Sequence, residues 1–165
     1  MLVAGPSEKS PVVEALARRG RETERRFGEL ARHLRPSTVF MHLGAGDCAL
    51  AMVAAAYVER VYAVDPLEAV LHRPRLPMNL RIIFSGNRGF GLDIGTVSIA
   101  FSETLAGDRL EALWRSLAPG GMYLYVAGPR PAEARGRLLA AGFSRVRFPS
   151  IFGLFDRGPF TAAFR

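Results

Sequence analysis

The spacing of hydrophobic positions changes after the first 35 residues of the chain. Between Pro11 and Arg35, apolar residues recur every three to four positions, which predicts one helix, or two short helices on either side of Gly20. Short apolar runs rich in β-branched and aromatic residues then alternate with helical patterns. We therefore expect an N-terminal helical segment over 1–35 and an α/β unit over 36–165, both within a single domain.

The α/β unit contains seven predicted strands and three further predicted helices. The strands cover 38–44, 60–65, 79–85, 96–102, 122–128, 143–149 and 160–165, and the helices cover 48–58, 108–118 and 131–142. Because strands and helices alternate up to residue 142, we predict a mostly parallel sheet with helices on both faces, which is a three-layer α/β sandwich. The last two strands follow each other without a helix, so they predict an antiparallel pair at one sheet edge.

Composition narrows the class of protein further. A chain of 165 residues with 49% hydrophobic content is long enough for one domain with a sizeable core. The single cysteine, Cys48, excludes an internal disulfide, and the three scattered histidines offer no ligand pair, so no metal site is expected. No stretch approaches the roughly 18 apolar residues of a membrane span, and the start does not resemble a signal peptide. These features favour a reducing, cytoplasmic location.

The net charge of +7 comes almost entirely from arginine. Five arginines lie on the first predicted helix and would favour RNA, but three glutamates are interleaved with them. This arrangement predicts a solvated, salt-bridged helix face rather than a nucleic-acid site. The arginines are Arg18, Arg19, Arg21, Arg25 and Arg26, and the glutamates are Glu22, Glu24 and Glu29.

A glycine-rich turn follows the first strand, in the run "HLGAGDCALA" (42–51). Glycines at such a turn allow the backbone to approach a ligand closely, and Asp65, 19 residues after Gly46, ends the second strand, where a carboxylate can accept both hydroxyls of a ribose. Gly44, Gly46 and Ala49 match the dinucleotide pattern G-x-G-x-x-A. The same run resembles the first motif of class I S-adenosylmethionine (SAM) dependent methyltransferases, and the motif alone does not separate the two cofactors.

Three further segments extend the resemblance to the methyltransferases. The run "LAPGGMYLYVAG" (117–128) resembles their helix, L-x-P-G-G turn and fifth strand, and "GTVSIAFSETL" (95–105) resembles their fourth strand and the loop after it. The terminal strand pair is similar to their sixth and seventh strands, one of which runs antiparallel. The resemblance covers residues 36–165. It implies the class I methyltransferase fold, SAM as cofactor and S-adenosylhomocysteine as product.

The resemblance also implies a set of cofactor-binding residues. The glycine-rich turn would line the methionine and ribose part of the pocket, Asp65 would hold the ribose, and the two residues after it would contact adenine. The loop after the third strand would face the adenine amino group, and the end of the fourth strand would border the sulfonium. The turn residues are Gly44, Ala45 and Gly46; the ribose residue is Asp65; the adenine contacts are Pro66 and Leu67, with Asn87 or Ser85 at the amino group; and the residues at the sulfonium are Phe101 and Ser102. His42 occupies the position of a motif carboxylate that organises the methionine amino group.

Three departures from the family pattern point to a specialised or degenerate member. His42 replaces the acidic residue, Cys48 replaces the third glycine, and Ser98 replaces an aspartate of the fourth strand. His42 is interpreted as a hydrogen-bonded core residue, Cys48 as a small buried one, and Trp114 as core. The alternatives to a methyltransferase that acts on a small molecule are a non-catalytic SAM-fold binding or scaffold protein, an RNA methyltransferase and, least favoured, a nicotinamide enzyme.

No catalytic residue is predicted, because methyl transfer from a sulfonium depends mainly on positioning and the family has no universal catalytic group. The loop after the fourth strand is short and has Glu103 and Asp108 as its carboxylates, which favours a small-molecule acceptor over a DNA base. The first helix is expected to act as a lid over the cofactor. Phe152 and Phe155 are candidate acceptor contacts.

Overall fold

The computed structural model describes residues 11–72, 75–85, 89–149 and 159–165 of the chain. The predicted Phe152, Phe155 and Asn87 contacts lie outside these residues. The described part contains four α-helices, two short 3₁₀ helices and seven strands. The α-helices are α1 (Pro11–Ala31), α2 (Ala49–Ala55), α3 (Leu110–Ser116) and α4 (Pro131–Ala140); the 3₁₀ helices are Glu68–His72 and Gly107–Arg109; and the strands are β1 (Val39–Gly46), β2 (Arg60–Pro66), β3 (Leu80–Ile83), β4 (Val97–Thr104), β5 (Leu117–Ala127), β6 (Arg145–Arg147) and β7 (Thr161–Phe164).

The seven strands form one mixed sheet in the order β3-β2-β1-β4-β5-β7-β6. The first five strands pair in parallel, and β7 is antiparallel both to β5 and to β6. The mostly parallel seven-stranded sheet and its antiparallel terminal strand are therefore confirmed. The order reverses at β1, so β1 and β4 meet at the switch point where open α/β sheets bind ligands.

Alternate residues of each strand enter two hydrophobic cores, one on each face of the sheet. Phe40 and Phe101 belong to the core beneath α1 and α2. Met41 and Tyr123 belong to the core on the other face, beneath α3 and α4. Because the inner strands are covered on both faces, their sequences are almost continuously apolar, as is usual for parallel sheets.

Helix α1 is one continuous helix, but it ends at Ala31, four residues before the predicted end. Its inner side packs on α2 and on the turn that follows α2, where the ring centroids of Phe27 and Tyr57 are 4.8 Å apart, and Leu30 is fully buried. The chain then turns into β1, with a hydrogen bond from the Arg35 amide to the Thr38 hydroxyl. Helix α1 therefore runs across one face of the sheet and ends near the amino-terminal ends of the strands.

Strand β5 begins earlier than predicted. It starts at Leu117, so the P-G-G run lies within the strand rather than before it. Its pairing with β4 jumps from Val97 opposite Leu117 to Ile99 opposite Met122, which leaves the run as an irregular excursion in the ladder. The positive φ of Gly120, 74°, permits this excursion.

Candidate functional site

The glycine-rich turn joins β1 to α2 at the carboxyl end of the sheet. Gly44 and Gly46 have φ angles of 63° and 53°, which residues with a Cβ rarely adopt. No heavy atom would lie within 4 Å of a Cβ at Gly44, so open space faces the backbone at this point. The turn therefore presents bare peptide groups that a ligand can approach closely.

The residue in the place of a third glycine has a glycine-like conformation. Cys48 has a φ of 60° and is completely buried, and its amide donates to the Ala45 carbonyl at 2.8 Å. The neighbouring Asp47 carboxylate accepts from the Ala49 amide at 3.0 Å, which fixes the start of α2. Cys48 therefore adopts the positive φ that a glycine at this position would favour.

Asp65 lies beside this turn, at the end of β2. Pro66 pairs with Gly46 in the ladder, and the Leu67 amide donates to the Gly46 carbonyl at 2.7 Å. Ser85, which follows β3, donates its amide to one Asp65 oxygen at 2.7 Å and its hydroxyl to the other. The structure thus brings together the predicted residues of the turn, of β2 and of the loop after β3.

An arginine that the sequence did not indicate also binds Asp65. Arg109, the last residue of the second 3₁₀ helix, places Nη1 2.6 Å from Asp65 Oδ2. The two side chains are 46% and 30% exposed, so solvent screens this pair and its strength is modest. Arg109 is 44 positions away from Asp65 in the chain, and no local pattern links the two residues.

The contacts of Asp65 determine its ionisation. Burial alone would raise the pKa of the Asp65 carboxyl, but the hydrogen bonds from Ser85 and Arg109 and the charge of Arg109 outweigh burial. The pKa therefore lies below its ordinary value. At neutral pH Asp65 is an anion that already accepts three hydrogen bonds from the protein itself, two from Ser85 and one from Arg109.

A cleft of about 300 Å³ opens between the turn and the loop after β4. Gly44 and Ser102 line it together with Glu103, Asp108 and Arg109. The cleft thus joins one predicted cofactor-binding glycine to the carboxylates expected near the acceptor.

Ser102 has a structural role at the rim of this cleft. Its hydroxyl lies 2.6 Å from the Tyr123 hydroxyl and also donates to the Thr104 carbonyl. Tyr123 accepts from the Ala106 amide at 2.9 Å, and burial raises its pKa above the ordinary value. This network fixes the loop after β4, and no pattern in the sequence indicated the role of Tyr123.

The predicted sulfonium neighbour Phe101 is covered by an arginine of α1. The Arg26 guanidinium lies 6.0 Å from the centre of the Phe101 ring and 5.8 Å from that of Phe160. It donates to both oxygens of Glu103, at 3.0 and 2.9 Å, and to Glu29 at 2.6 Å. Only 7% of its side chain is exposed, so the prediction that all five arginines of α1 form a solvated face is wrong for Arg26.

His42 is a buried residue with an unused hydrogen-bonding atom. It is 6% exposed, and its ring centre lies 5.4 Å from that of Phe101. Nδ1 has no hydrogen-bond partner, so the expectation of a hydrogen-bonded core histidine is not met at this atom. Burial lowers the pKa of His42 to about 4, and the nearby Asp47 raises it only in part, so the ring is neutral at pH 7.

The serine that replaces an aspartate in β4 supports the sheet instead of the site. The Ser98 hydroxyl accepts from the Val39 amide at 3.1 Å, which ties the start of β1 to β4. This contact lies at the amino end of the strands, away from the glycine-rich turn. In the described part of the chain, no group of three or more histidines, cysteines or acidic residues is arranged to hold a metal ion. None of the described helices has the length and apolar character needed to cross a membrane.

No protein-family model matches the sequence, and no curated protein matches it significantly. Solved structures do match. A SAM-dependent methyltransferase from Mesorhizobium loti has a TM-score of 0.58 at 15% identity, with 78% of this chain and 91% of that chain covered. The precorrin-6y C5,15-methyltransferase of Geobacter metallireducens has the same score and identity, with coverages of 87% and 88%.

This chain has the class I methyltransferase fold. Another similar structure is a complex from Haloferax volcanii between the Trm112 methyltransferase activator and a methyltransferase. Its TM-score is 0.61 at 15% identity, with 88% of this chain and 93% of that chain covered. At these identities the likeness establishes the methyltransferase fold alone, so the chemistry has to be argued from the side chains.

Proposed function

We propose that this protein binds SAM at the carboxyl end of its sheet and transfers the methyl group to a small acceptor. The observation that carries the proposal is the position of the ionised Asp65 carboxylate, beside the open backbone of Gly44 and Gly46 in a methyltransferase fold. A carboxylate there can accept both ribose hydroxyls, while the bare turn leaves room for the methionine part.

The fit to SAM is supported by two further features of the site. The unpartnered Nδ1 of the neutral His42 is covered in this structure, and a small rotation of the ring would let it accept a hydrogen bond from an amino group, which is the role of the acidic residue it replaces. Leu67 is 59% exposed next to the Asp65 loop, where an adenine ring would cover it, and Ser85 already lies against Asp65. Asn87 stays a candidate contact to the adenine amino group.

SAM would supply a methyl group that its sulfonium has already activated, so the protein's task is to position the acceptor and exclude water. The cleft at Ser102 would border that reaction with the fully buried Phe101 behind it, and α1 would act as the lid, held there by Arg26 and Glu103. A cleft of about 300 Å³ is at the small end of the usual range for ligand pockets, which supports a small-molecule acceptor. We assign no catalytic base.

A non-catalytic cofactor-fold module is the second candidate. It is favoured by the two arginine pairs, because Arg26 covers Phe101 and Arg109 occupies Asp65. A protein partner, such as the activator in the Haloferax volcanii complex, would suit a module of this kind. A cytoplasmic location, inferred from the single cysteine, suits either candidate.

Calorimetric titration with SAM and S-adenosylhomocysteine tests the proposal. We expect saturable binding of both ligands, and a loss of affinity of at least 100-fold in Asp65→Ala, because two hydrogen bonds to a charged group disappear. Asp93→Ala is the matched control, since Asp93 is an exposed aspartate at the other end of the sheet and its substitution should leave affinity unchanged. A folded wild-type protein that binds neither ligand would overturn the enzyme proposal and leave the module.

A further inference from the structure

Arginines from distant parts of the chain lie at the amino-terminal end of the sheet, opposite the candidate cofactor site. Arg60 begins β2, Arg145 begins β6, and Arg165 follows β7, whose antiparallel direction brings its end to this side. We call the whole set the arginine edge: it comprises Arg32, Arg35, Arg60, Arg81, Arg115, Arg145 and Arg165.

Few carboxylates balance this charge. Those that the structure describes at the same end are Glu59, Asp93 and Glu111, and Glu111 is already bound to Arg115. Neighbouring strands are about 4.8 Å apart, so seven strands spread the arginine edge over roughly 29 Å. The result is an extended surface of one sign of charge.

Two of these arginines are held in place by aromatic rings. The guanidinium of Arg145 lies 4.4 Å from the centre of the Phe164 ring, and that of Arg165 lies 4.5 Å from the centre of the Trp114 ring. Arg165 also donates to the Leu117 carbonyl. Such stacking lowers the entropy that an arginine loses when it binds an anion.

A second cleft, of about 400 Å³, lies within the arginine edge. Arg32, His33 and Arg35 form one wall, where α1 leads into β1. Two serines and a threonine add hydroxyl groups to the lining, and Met122 and the almost fully buried Ile99 contribute its apolar part. A flat apolar ring with an attached anionic group matches this combination of surfaces, and an unpaired nucleotide has both features.

We propose that the arginine edge binds a single-stranded nucleic acid, with phosphates on the arginines and one base in this cleft. An acidic protein would match the charge but would leave unfilled a cleft that combines cations, hydroxyl groups and a partly apolar lining. Single strands are bound in this way elsewhere, by cationic grooves combined with places where bases insert or stack. The surface lies at the opposite end of the strands from Asp65, so the proposal does not depend on cofactor binding.

Fluorescence anisotropy with a labelled 12-nucleotide oligouridylate tests the proposal. For single strands, the slope of log K against log salt is about −0.7 per phosphate contact, so four contacts give a slope near −3. The triple variant Arg35→Gln, Arg60→Gln, Arg81→Gln should reduce the slope to about −1. The control Arg18→Gln, Arg19→Gln, Arg21→Gln removes the same charge from exposed positions on α1 and should keep most of the original slope.

Equal losses in the two triple variants would overturn the proposal, because general attraction to a basic protein would then explain binding. If the edge triple variant does not fold, Arg81→Gln alone applies the same test, with an expected change of about 0.7 in slope. An abasic strand of equal length should bind about fivefold more weakly than oligouridylate, and equal affinities would exclude the base site. Equally strong competition by polyglutamate would contradict a nucleic-acid site and indicate an acidic protein partner.

Discussion

Arginine is used differently at the two ends of the sheet. At the carboxyl end, Arg26 and Arg109 each bind a carboxylate from a distant element, Glu103 and Asp65. At the amino end, the described residues include seven arginines and three carboxylates, and most of the arginine charge remains available to a partner. The comparison shows that the net charge of +7 indicates little by itself, because its meaning depends on where the fold places the acidic residues.

The largest effect that we expect at the carboxyl end comes from the buried His42. Burial lowers its pKa to about 4, whereas the unfolded chain takes up this proton near pH 6.5. The unfolded state therefore binds more protons between these values, and stability is complete above pH 6.5 and falls as the pH drops towards 4. The loss attributable to this residue amounts to roughly 3 kcal/mol.

Urea unfolding of wild type and His42→Leu at pH 4, 5, 6 and 7 measures this contribution. Between pH 7 and pH 4, the unfolding free energy of the wild type should fall by roughly 3 kcal/mol more than that of His42→Leu. His72→Gln, which changes an exposed histidine, serves as the control. Parallel pH profiles for wild type and His42→Leu would contradict the account of a neutral buried ring.

Arg26→Met tests whether the lid helix is held by its buried ion pairs. The substitution leaves Glu103 without its partner, while Glu29 keeps Arg25 at 3.7 Å. Because Glu103 is also 56% exposed, we expect a loss of about 2 kcal/mol, below the range for fully buried pairs. The melting temperature should fall by roughly 4–8 °C. Arg25→Met, at the exposed neighbour, should lower it by less than about 2 °C. Equal changes in both variants would show that Arg26 does not anchor α1.

Arg109→Ala should have the smallest effect, a gain in SAM affinity, whereas the loss of a residue that contacts the cofactor would weaken binding. If Arg109 competes with the ribose for Asp65, its removal should tighten SAM binding, by about threefold to fivefold for a partly exposed pair. Calorimetry on the variant provides the measurement, with Arg115→Ala as a control, because Arg115 belongs to another exposed ion pair. Weaker binding in Arg109→Ala would mean that Arg109 contacts the cofactor instead of excluding it.

The sequence predicted the architecture well because the fold depends on local patterns. The alternation of strands and helices, the turn at Gly44 and the antiparallel pairing of the last two strands each follow from residue spacing. Element ends were less predictable. The P-G-G run lies within β5 because Leu117, before the run, already pairs with Val97 of β4, and the pairing resumes after the run at Met122. Hydrogen bonding to the neighbouring strand determines that boundary, and the neighbour is 20 or more residues away in the chain.

The candidate site was predictable only for the residues that the resemblance carries. Asp65 and the glycines were identified because a strand end and a turn are visible in the sequence. Arg26, Arg109 and Tyr123 were missed, since each contributes through a partner that is distant in the chain. For Arg26 the available signal was misleading, because interleaved glutamates suggested a solvated helix face.

The most direct test of the central claim is an NMR titration of ¹⁵N-labelled protein with S-adenosylhomocysteine. The claim is that the carboxyl end of the sheet, and not the amino end, binds the cofactor. It predicts saturable shifts of the Gly44, Gly46, Leu67 and Ser85 amides, with the Thr38, Gly95 and Arg165 amides unchanged. Shifts confined to the second group of amides, or none at any ligand concentration, would contradict the account.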